Sequence, residues 1–200
     1  MISLMAVPAW SADANTLARM AESALLRRAI NQSINTGSTL LAERPQKVPA
    51  GAQIEVGFSP NPRDQALRLV LKIINAAHKT IEVAAYEMTS KPVADALIRA
   101  SQRGVQVFVV ADARVNQGGG YSKVATMSAN GVHTRLDGLY PIMHNKFIVV
   151  DSTHVETGSY NYSYAAERKN AENVIVLWNN PALAQLYAQR FNQLWTESPP

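Results

Sequence analysis

One stretch of eighteen residues, His144 to Asn161, constrains this chain more than any other part of it. Its polar skeleton is H-x-K, four residues, Asp, six residues and then G-S-x-N. The run between Lys146 and Asp151 is Phe-Ile-Val-Val, and such a short β-branched run is typical of a buried strand. If His144 and Lys146 already lie in extended backbone, their side chains leave the same face of that strand. An imidazole and an ammonium group placed together make a poor core and a good anion site.

The polar residues after this run predict a hairpin and then a helix. Asp151-Ser152-Thr153 is expected to reverse the chain, and a second short strand is expected over residues 154 to 157. Gly158 permits a tight backbone, and Ser159 is placed to cap the following helix. Asp151 lies beyond the strand from His144, so we interpret it as a structural turn and hydrogen-bonding residue and not as a catalyst.

This arrangement resembles the signature of the phospholipase D superfamily, H-x-K-x(4)-D-x(6)-G-S-x-N, and every specified position is present. V-G-F-S-P from Val56, R-G-V-Q-V from Arg103 and N-A-E-N-V-I-V-L-W-N from Asn170 are similar to the single-HKD-motif bacterial endonuclease branch. The resemblance covers about residues 54 to 196. It implies a small, exported, metal-independent homodimer that cuts DNA and RNA with little sequence preference.

Phosphodiester chemistry explains why these residue types occur together. A neutral imidazole, His144, can attack the anionic phosphorus and form a phosphohistidine, while a second, protonated imidazole donates to the leaving alkoxide. Lys146 and the amide of Asn161 can stabilise the charge that gathers on the phosphoryl oxygens. The resemblance implies that Glu172 orients the nucleophilic ring, although it could also be a solvated acid at the start of a strand. It also implies that Ser159 contacts the phosphate, with the role of helix cap as the alternative.

The mechanism needs two catalytic histidines, but the chain holds one motif and no internal repeat. His78, His133 and His154 lack the motif context and are interpreted as surface or structural histidines. We therefore expect the second imidazole to come from another copy, in a homodimer with the active site at the two-fold interface. No cofactor and no metal are expected, because the acidic residues are scattered and Lys146 already supplies positive charge.

The substrate class depends on the residues outside the motif, because nucleic acid and phospholipid both contain phosphodiesters. The basic residues predicted to follow a nucleic-acid backbone are Arg114, Lys123, Arg135, Arg168 and Lys169. The tyrosines available to stack on bases are Tyr121, Tyr140 and Tyr160. The apolar run 139–143 could instead form the entrance of a hydrolase that acts on cardiolipin-like phospholipids. A catalytically silent nucleic-acid-binding module is a third alternative, and the endonuclease resemblance favours the nuclease.

The alternation of strands and helices predicts an α/β fold with a mixed, largely parallel β-sheet flanked by helices on both faces. This is the phospholipase D/nuclease fold, here with an N-terminal helical extension. Residues 105–111 are almost uninterruptedly apolar, as expected for a strand covered on both faces. Residues 112–120 are predicted to be a Gly-rich loop, and residues 121–130 a helix.

The N-terminal region predicts the domain organisation and the location. Residues 1–14 resemble the tail of a secretory signal, which favours a periplasmic or secreted protein. Residues 15–50 are predicted to be a helical extension, with its helix over 15–35, and a linker. Residues 51–200 are predicted to form the catalytic domain.

Cysteine is absent, which excludes disulfides and thiolate zinc sites. No run approaches the roughly twenty apolar residues of a bilayer span, so no stable membrane insertion is expected. The formal charge of +4 favours a phosphate-rich substrate only together with the motif.

Overall fold

The computed structural model of the chain describes residues 45–118 and 120–199. The predicted signal remnant at residues 1–14 and the predicted helix at residues 15–35 lie outside the described residues. The strands are β1 (Gln53–Ser59), β2 (Thr80–Ala85), β3 (Gln106–Asp112), β4 (His133–Asp137), β5 (Lys146–Val150), β6 (His154–Gly158) and β7 (Glu172–Trp178). The helices are α1 (Gln65–Asn75), α2 (Lys91–Gln102), α3 (Ala113–Asn116), α4 (Val124–Ser128), α5 (Tyr164–Arg168) and α6 (Pro181–Glu197).

The described strands form one sheet in the order β1-β7-β6-β5-β2-β3-β4. The prediction of a mixed sheet is confirmed, but the prediction that it is largely parallel is wrong. Only the β2–β3 and β3–β4 pairs are parallel, and the other four pairs are antiparallel. The motif accounts for one of the antiparallel pairs, because a turn as short as the one between β5 and β6 can join only antiparallel strands.

Helices cover both faces of the sheet, as predicted. The larger core lies on the face that carries α1, α2 and α4, and all five residues of β5 are buried. On the other face α6 packs against the central strands through Ala184, Phe191 and Leu194. The predicted loop 112–120 contains α3, which the side chain of Asp112 caps by accepting hydrogen bonds from two backbone amides.

The hairpin between β5 and β6 turns through two residues in left-handed backbone. Asp151 and Ser152 have φ angles of 51° and 53°, and the Thr153 amide donates to the Val150 carbonyl at 3.0 Å. Positive φ at both central positions is the mark of a type I′ turn, whose twist suits a hairpin and which Asp tolerates. The turn therefore sends β6 directly back along β5.

The carboxylate of Asp151 also fixes the connection between α1 and β2. It accepts hydrogen bonds from the backbone amides of His78, Lys79 and Thr80, at 2.9, 2.7 and 2.9 Å. Burial acts to raise the pKa of this carboxyl, but the backbone donors and the nearby His78 outweigh burial and hold the pKa below its usual value. These contacts are those of a structural residue, and the whole of β5, about 17 Å long, lies between them and His144.

We expect Asp151→Asn to destabilise the fold by about 1–3 kcal/mol at neutral pH, because one acceptor oxygen is replaced by an amide NH2 group that faces backbone donors. The folded-state pKa of Asp151 is depressed, so its contribution to stability is present above the unfolded pKa and is lost as the pH falls through the folded pKa. Urea unfolding of wild type and variant, at neutral pH and in a series of acidic buffers, measures this difference. A stability difference that does not shrink on acidification would contradict the assigned role.

Candidate active site

The predicted catalytic residues lie at one edge of the sheet. The parallel strands β2 and β3 end at this edge, and because β5 runs antiparallel to β2, it begins there at Lys146, which pairs with Ala85. In the same way, β6 ends there at Gly158 and β7 begins there at Glu172. Strand direction alone therefore brings both ends of the motif and Glu172 to one edge.

Lys146 is a buried cation, with 8% of its surface exposed. Its ammonium donates to the carbonyl oxygen of His144 at 3.1 Å and lies 5.3 Å from the ring centroid of Tyr86. Burial lowers the pKa of the ammonium group, and the carboxylates of Glu172 and Glu87 act in the opposite direction. The charge of Lys146 is thus poorly solvated, which strengthens its attraction for an anion at this position.

His144 is exposed, and its ring rests against Tyr86. The two ring centroids are 4.7 Å apart in an edge-to-face arrangement. Tyr86 follows the last residue of β2, so it reaches both His144 and Lys146 from a neighbouring strand. Tyr86 and Glu87 were not predicted from the sequence to be parts of the site. The available signals were their position directly after an apolar strand and the A-Y-E-M-T segment from Ala85, which is similar to the same endonuclease branch.

The charge of Glu172 acts to raise the pKa of the Lys146 ammonium group, although the two side chains form no ion pair within the described residues. Its hydrogen-bond partner among the described residues is the side-chain amide of Asn170, at 3.1 Å. The imidazole of His144 instead contacts Tyr86. The orienting contact between Glu172 and the imidazole therefore stays a prediction, while the carboxylate already acts electrostatically on Lys146.

Ser159 and Asn161 both follow the end of β6, but their side chains differ in hydrogen bonding. The Ser159 hydroxyl accepts from the backbone amide of Asn173 at 3.1 Å, and Ser163, not Ser159, caps α5. The expectation that Ser159 caps the helix is therefore wrong, because the chain needs four more residues before it becomes helical. The side-chain oxygen of Asn161 is buried and has no hydrogen-bond partner within the described residues. Such a group is costly and is expected where a substrate or another chain supplies the partner.

Gly158 is required by a close approach and not by an unusual backbone angle. A Cβ atom at this position would lie 2.1 Å from the carbonyl oxygen of Asn173 on β7. The Ser159 amide donates to this same carbonyl at 3.1 Å. The motif glycine thus lets β7 come close enough to hold the G-S-x-N segment.

Two buried side chains with several hydrogen bonds each hold the loops around the site. Asp112 accepts from the amide of Met143, the residue before His144, at 2.7 Å. Asn116 donates to the carbonyl of Tyr86 at 2.6 Å and accepts from the amide of Met88 at 3.0 Å. The positions of the His144 backbone and the Tyr86 ring therefore depend on β3 and α3.

A buried acid lies beneath the G-S-x-N segment. Glu156 is fully buried, and burial raises its pKa to about 8, although the Tyr162 hydroxyl, which donates to it at 2.7 Å, acts to lower the pKa. The carboxyl is therefore mainly protonated at neutral pH. The carbonyl of Tyr162 accepts from the amides of Thr89 and Ser90 at 2.9 and 2.7 Å. Glu156 and Tyr162 together join the catalytic segment to the start of α2.

The predicted substrate-binding residues do not form one group. Arg114 lies on α3 and Lys123 precedes α4, and the Lys123 amide donates to the carbonyl of Met88 at the site edge. Arg135 is in register with Val110, which places it on the α6 face of the sheet, opposite to Lys146. Its guanidinium donates to the carbonyls of Trp195 and Ser198. Lys169 lies near the site, three residues before Glu172. The structure therefore does not bring Arg135 to the motif, while the other three residues lie towards its edge.

The three tyrosines predicted to stack on bases differ in exposure, and the remaining predicted arginine, Arg168, is occupied by ion pairs. Tyr160 is fully buried, so the expectation that it can stack on a base is wrong, whereas Tyr121 is 85% exposed. Tyr140 is partly buried and donates its hydroxyl to Glu197 at 3.0 Å. Arg168 forms ion pairs with Asp64 and Glu167.

Within the described residues, no group of three or more His, Asp, Glu or Cys side chains has the arrangement of a metal site. The described helices also include none with the length and apolar character needed to cross a bilayer.

We expect Tyr86→Ala to lower the turnover of a chromogenic phosphodiester such as bis(p-nitrophenyl) phosphate by about tenfold, because the imidazole and the ammonium both lose the ring that they contact. Tyr86→Phe keeps the ring and should stay near the wild-type rate. An unchanged rate in the alanine variant, or equal losses in both variants, would contradict a role of the ring in positioning these two groups.

Comparison with known proteins agrees with this geometry. A family model described as "Cardiolipin synthase, PLD-like domain" matches residues 70–195. "Phospholipase D" of Rickettsia bellii (strain RML369-C) is 35% identical over 130 residues, which cover 65% of this chain and 64% of that protein. "Mitochondrial cardiolipin hydrolase" of Xenopus tropicalis is 31% identical over 137 residues, covering 68% of this chain and 64% of that protein. The match thus spans less than two thirds of the length of either relative.

A solved structure also matches the fold of this chain. Nuc of Salmonella typhimurium, a phospholipase D family member, superposes with a TM-score of 0.69 and 38% sequence identity. The alignment covers 74% of this chain and 97% of Nuc. Since the family model covers more than half of the chain and Nuc has the same fold, this chain belongs to the phospholipase D superfamily.

Proposed function

We propose that this protein is a metal-independent endonuclease that cleaves DNA, and also RNA, through a phosphohistidine intermediate. The observation that carries the proposal is the grouping of exposed His144, buried Lys146 and the side-chain amide of Asn161 at one sheet edge. These groups match the needs of phosphodiester cleavage: a nucleophile, a poorly solvated cation and a side-chain amide whose NH2 group can donate a hydrogen bond to a phosphoryl oxygen. The sequence resemblance to single-motif endonucleases supports nucleic acid as the substrate.

In the proposed reaction, a ring nitrogen of His144 forms a bond to phosphorus while the bond from phosphorus to the leaving oxygen breaks. A protonated imidazole, His144 of the partner subunit, gives its proton to the leaving alkoxide. The same imidazole then takes a proton from water, whose oxygen attacks phosphorus as the phosphorus–nitrogen bond breaks. Lys146 and Asn161 stabilise the charge on the phosphoryl oxygens in both steps.

The positions of the other histidines support a homodimer. The chain has four histidines, and all four lie in the described residues. His78 and His154 lie at the Asp151 end of the sheet, since the amide of His78 donates to Asp151 and His154 pairs with Val150. The ring of His133 stacks on Phe108 at 5.0 Å. Because no other histidine of the chain lies near His144, a second imidazole has to come from another molecule.

An exposed apolar strip on β1 provides a surface on which such a dimer could form. Ile54, Val56 and Phe58 alternate along this edge strand and are 54%, 53% and 56% exposed. The strand ends at Ser59, which pairs with Glu172 at the site edge. A contact between two copies over this strip would bury apolar surface next to the half-site.

A phospholipid hydrolase is the second candidate function. Leu139 and Ile142, which precede His144, are 38% and 56% exposed and could receive an acyl chain. The names of the Rickettsia and Xenopus relatives, phospholipase D and cardiolipin hydrolase, favour the same alternative.

We expect wild-type protein to clear DNA in a gel zymogram that contains EDTA, and His144→Ala to lose this clearing because the nucleophile is absent. His78→Ala is the matched control, since it removes an exposed histidine at the opposite end of the sheet from the nucleophile. Release of head groups from cardiolipin vesicles without DNA clearing would assign the lipid function. The absence of both activities would indicate the silent binding module, and restoration of clearing only by magnesium would contradict the metal-independent mechanism.

We expect His144→Ala subunits to inactivate the wild-type subunits with which they form mixed dimers. If the active unit is a dimer that needs both imidazoles, an equal mixture after subunit exchange should retain about a quarter of the activity of the same total amount of wild type. Independent monomers would retain about half of it. Activity measured across mixing ratios separates a quadratic from a linear dependence, and sedimentation at the assay concentration checks the oligomeric state directly.

A further inference from the structure

An exposed aromatic ring and a cation lie side by side on the segment that joins Asn161 to Glu172. Tyr164 is 61% exposed at the start of α5, and the ammonium of Lys169 lies 5.9 Å from its ring centroid. Tyr164 is three positions after Asn161 in the sequence, so the two Cα atoms are at most about 11 Å apart. Lys169 precedes Asn170, which donates to the Glu172 carboxylate. The ring and the cation therefore lie beside the catalytic edge.

Helix α5 is packed against the segment that leads into α1. The Ser59 hydroxyl donates to the carbonyl of Ala166 at 2.6 Å, and Arg168 pairs with Asp64 at 2.8 Å. Beyond this contact, a groove of about 580 Å³ between β1 and α1 is lined in part by Arg63 and Arg68. Both arginines are exposed, and neither forms an ion pair within the described residues.

The arginines are held at the catalytic edge by a close contact between α1 and β1. A Cβ atom at Gly57 would lie 2.9 Å from the backbone of Gln65, so the first turn of α1 sits directly on the strand. Two residues later β1 ends at Ser59, which pairs with Glu172. Cationic and aromatic groups thus continue from the active site over α5 to the groove.

We propose that Tyr164, Lys169, Arg63 and Arg68 form a binding surface for single-stranded nucleic acid on one side of the scissile phosphodiester. An unpaired base stacks on the exposed ring of Tyr164, and the three cations contact successive phosphates. An exposed ring on a helix surface can stack only on a base that is splayed out, which the paired and stacked bases of a duplex are not. This surface therefore favours single strands over duplexes. The inference rests on the proposed nuclease function and specifies its substrate.

Binding of fluorescein-labelled oligothymidylate and of a duplex of equal length tests the proposal by fluorescence polarisation. All proteins carry His144→Ala, so that the probe is not cut. We expect Tyr164→Ala to weaken single-strand binding about tenfold, Tyr164→Phe to keep it, and duplex binding to be unchanged in both. Arg63→Ala/Arg68→Ala should weaken binding and lower the slope of log K against log salt by about 1.4 for the single strand.

The matched control is Arg99→Ala/Arg103→Ala, which removes two exposed arginines from the opposite end of α2 and should leave binding unchanged. Circular dichroism melting establishes that each variant is folded. Folded Tyr164→Ala and double-arginine proteins with wild-type single-strand affinity would overturn the proposal, as would a loss in the control pair equal to that in the groove pair.

Two further results would also overturn it. One is an equal effect of Tyr164→Ala on single strands and duplexes. The other is a double-arginine variant that loses binding to cardiolipin vesicles but keeps binding to the oligonucleotide, which would assign the groove to a membrane surface. The nuclease function fails separately, if wild-type protein does not clear DNA in the zymogram.

Discussion

A cation buried at the end of a buried strand is the constraint on which the active site depends. An ammonium without water is costly unless neighbouring groups compensate its charge. Lys146 obtains this compensation from the carbonyl of His144, the ring of Tyr86 and the carboxylates of Glu172 and Glu87. These groups come from β2, β5 and β7, so the site exists only when the antiparallel and parallel parts of the sheet are in register.

The loops around Lys146 are fixed by buried side chains that bond to the backbone. Asp112 holds the residue before His144, Asn116 holds both sides of the Tyr86–Met88 turn, and Glu156 holds the segment after β6 through Tyr162. Each of these side chains replaces a contact that water would make in an open loop. The strands thus bring the catalytic residues to one edge, and the buried polar network sets their final positions.

The arrangement also agrees with the proposed homodimer, in which each chain would supply one imidazole. This edge presents the exposed imidazole of His144 and an amide oxygen of Asn161 that has no partner within the described part of the chain, while the other three histidines lie elsewhere in the fold. The surfaces around this edge differ in chemistry. An apolar strip runs along β1, and basic and aromatic groups extend over α5 and α1. This contrast suits two different partners, a second protein subunit and an anionic polymer.

The sequence by itself determined the chemistry and the local structure of this protein. Six spaced residues predict the family, and the pattern around them predicts the hairpin and its buried strand. The tertiary structure decided strand direction, because the pairing of β1 with β7 joins segments more than a hundred residues apart. It also decided that Tyr160 is buried while Tyr164 is exposed, and that Arg135 faces away from Lys146. Whether a side chain is buried, and which face of the sheet it lies on, depend on the register between strands that are distant in the sequence. A shift of this register by one residue turns every side chain of the strand to the other face.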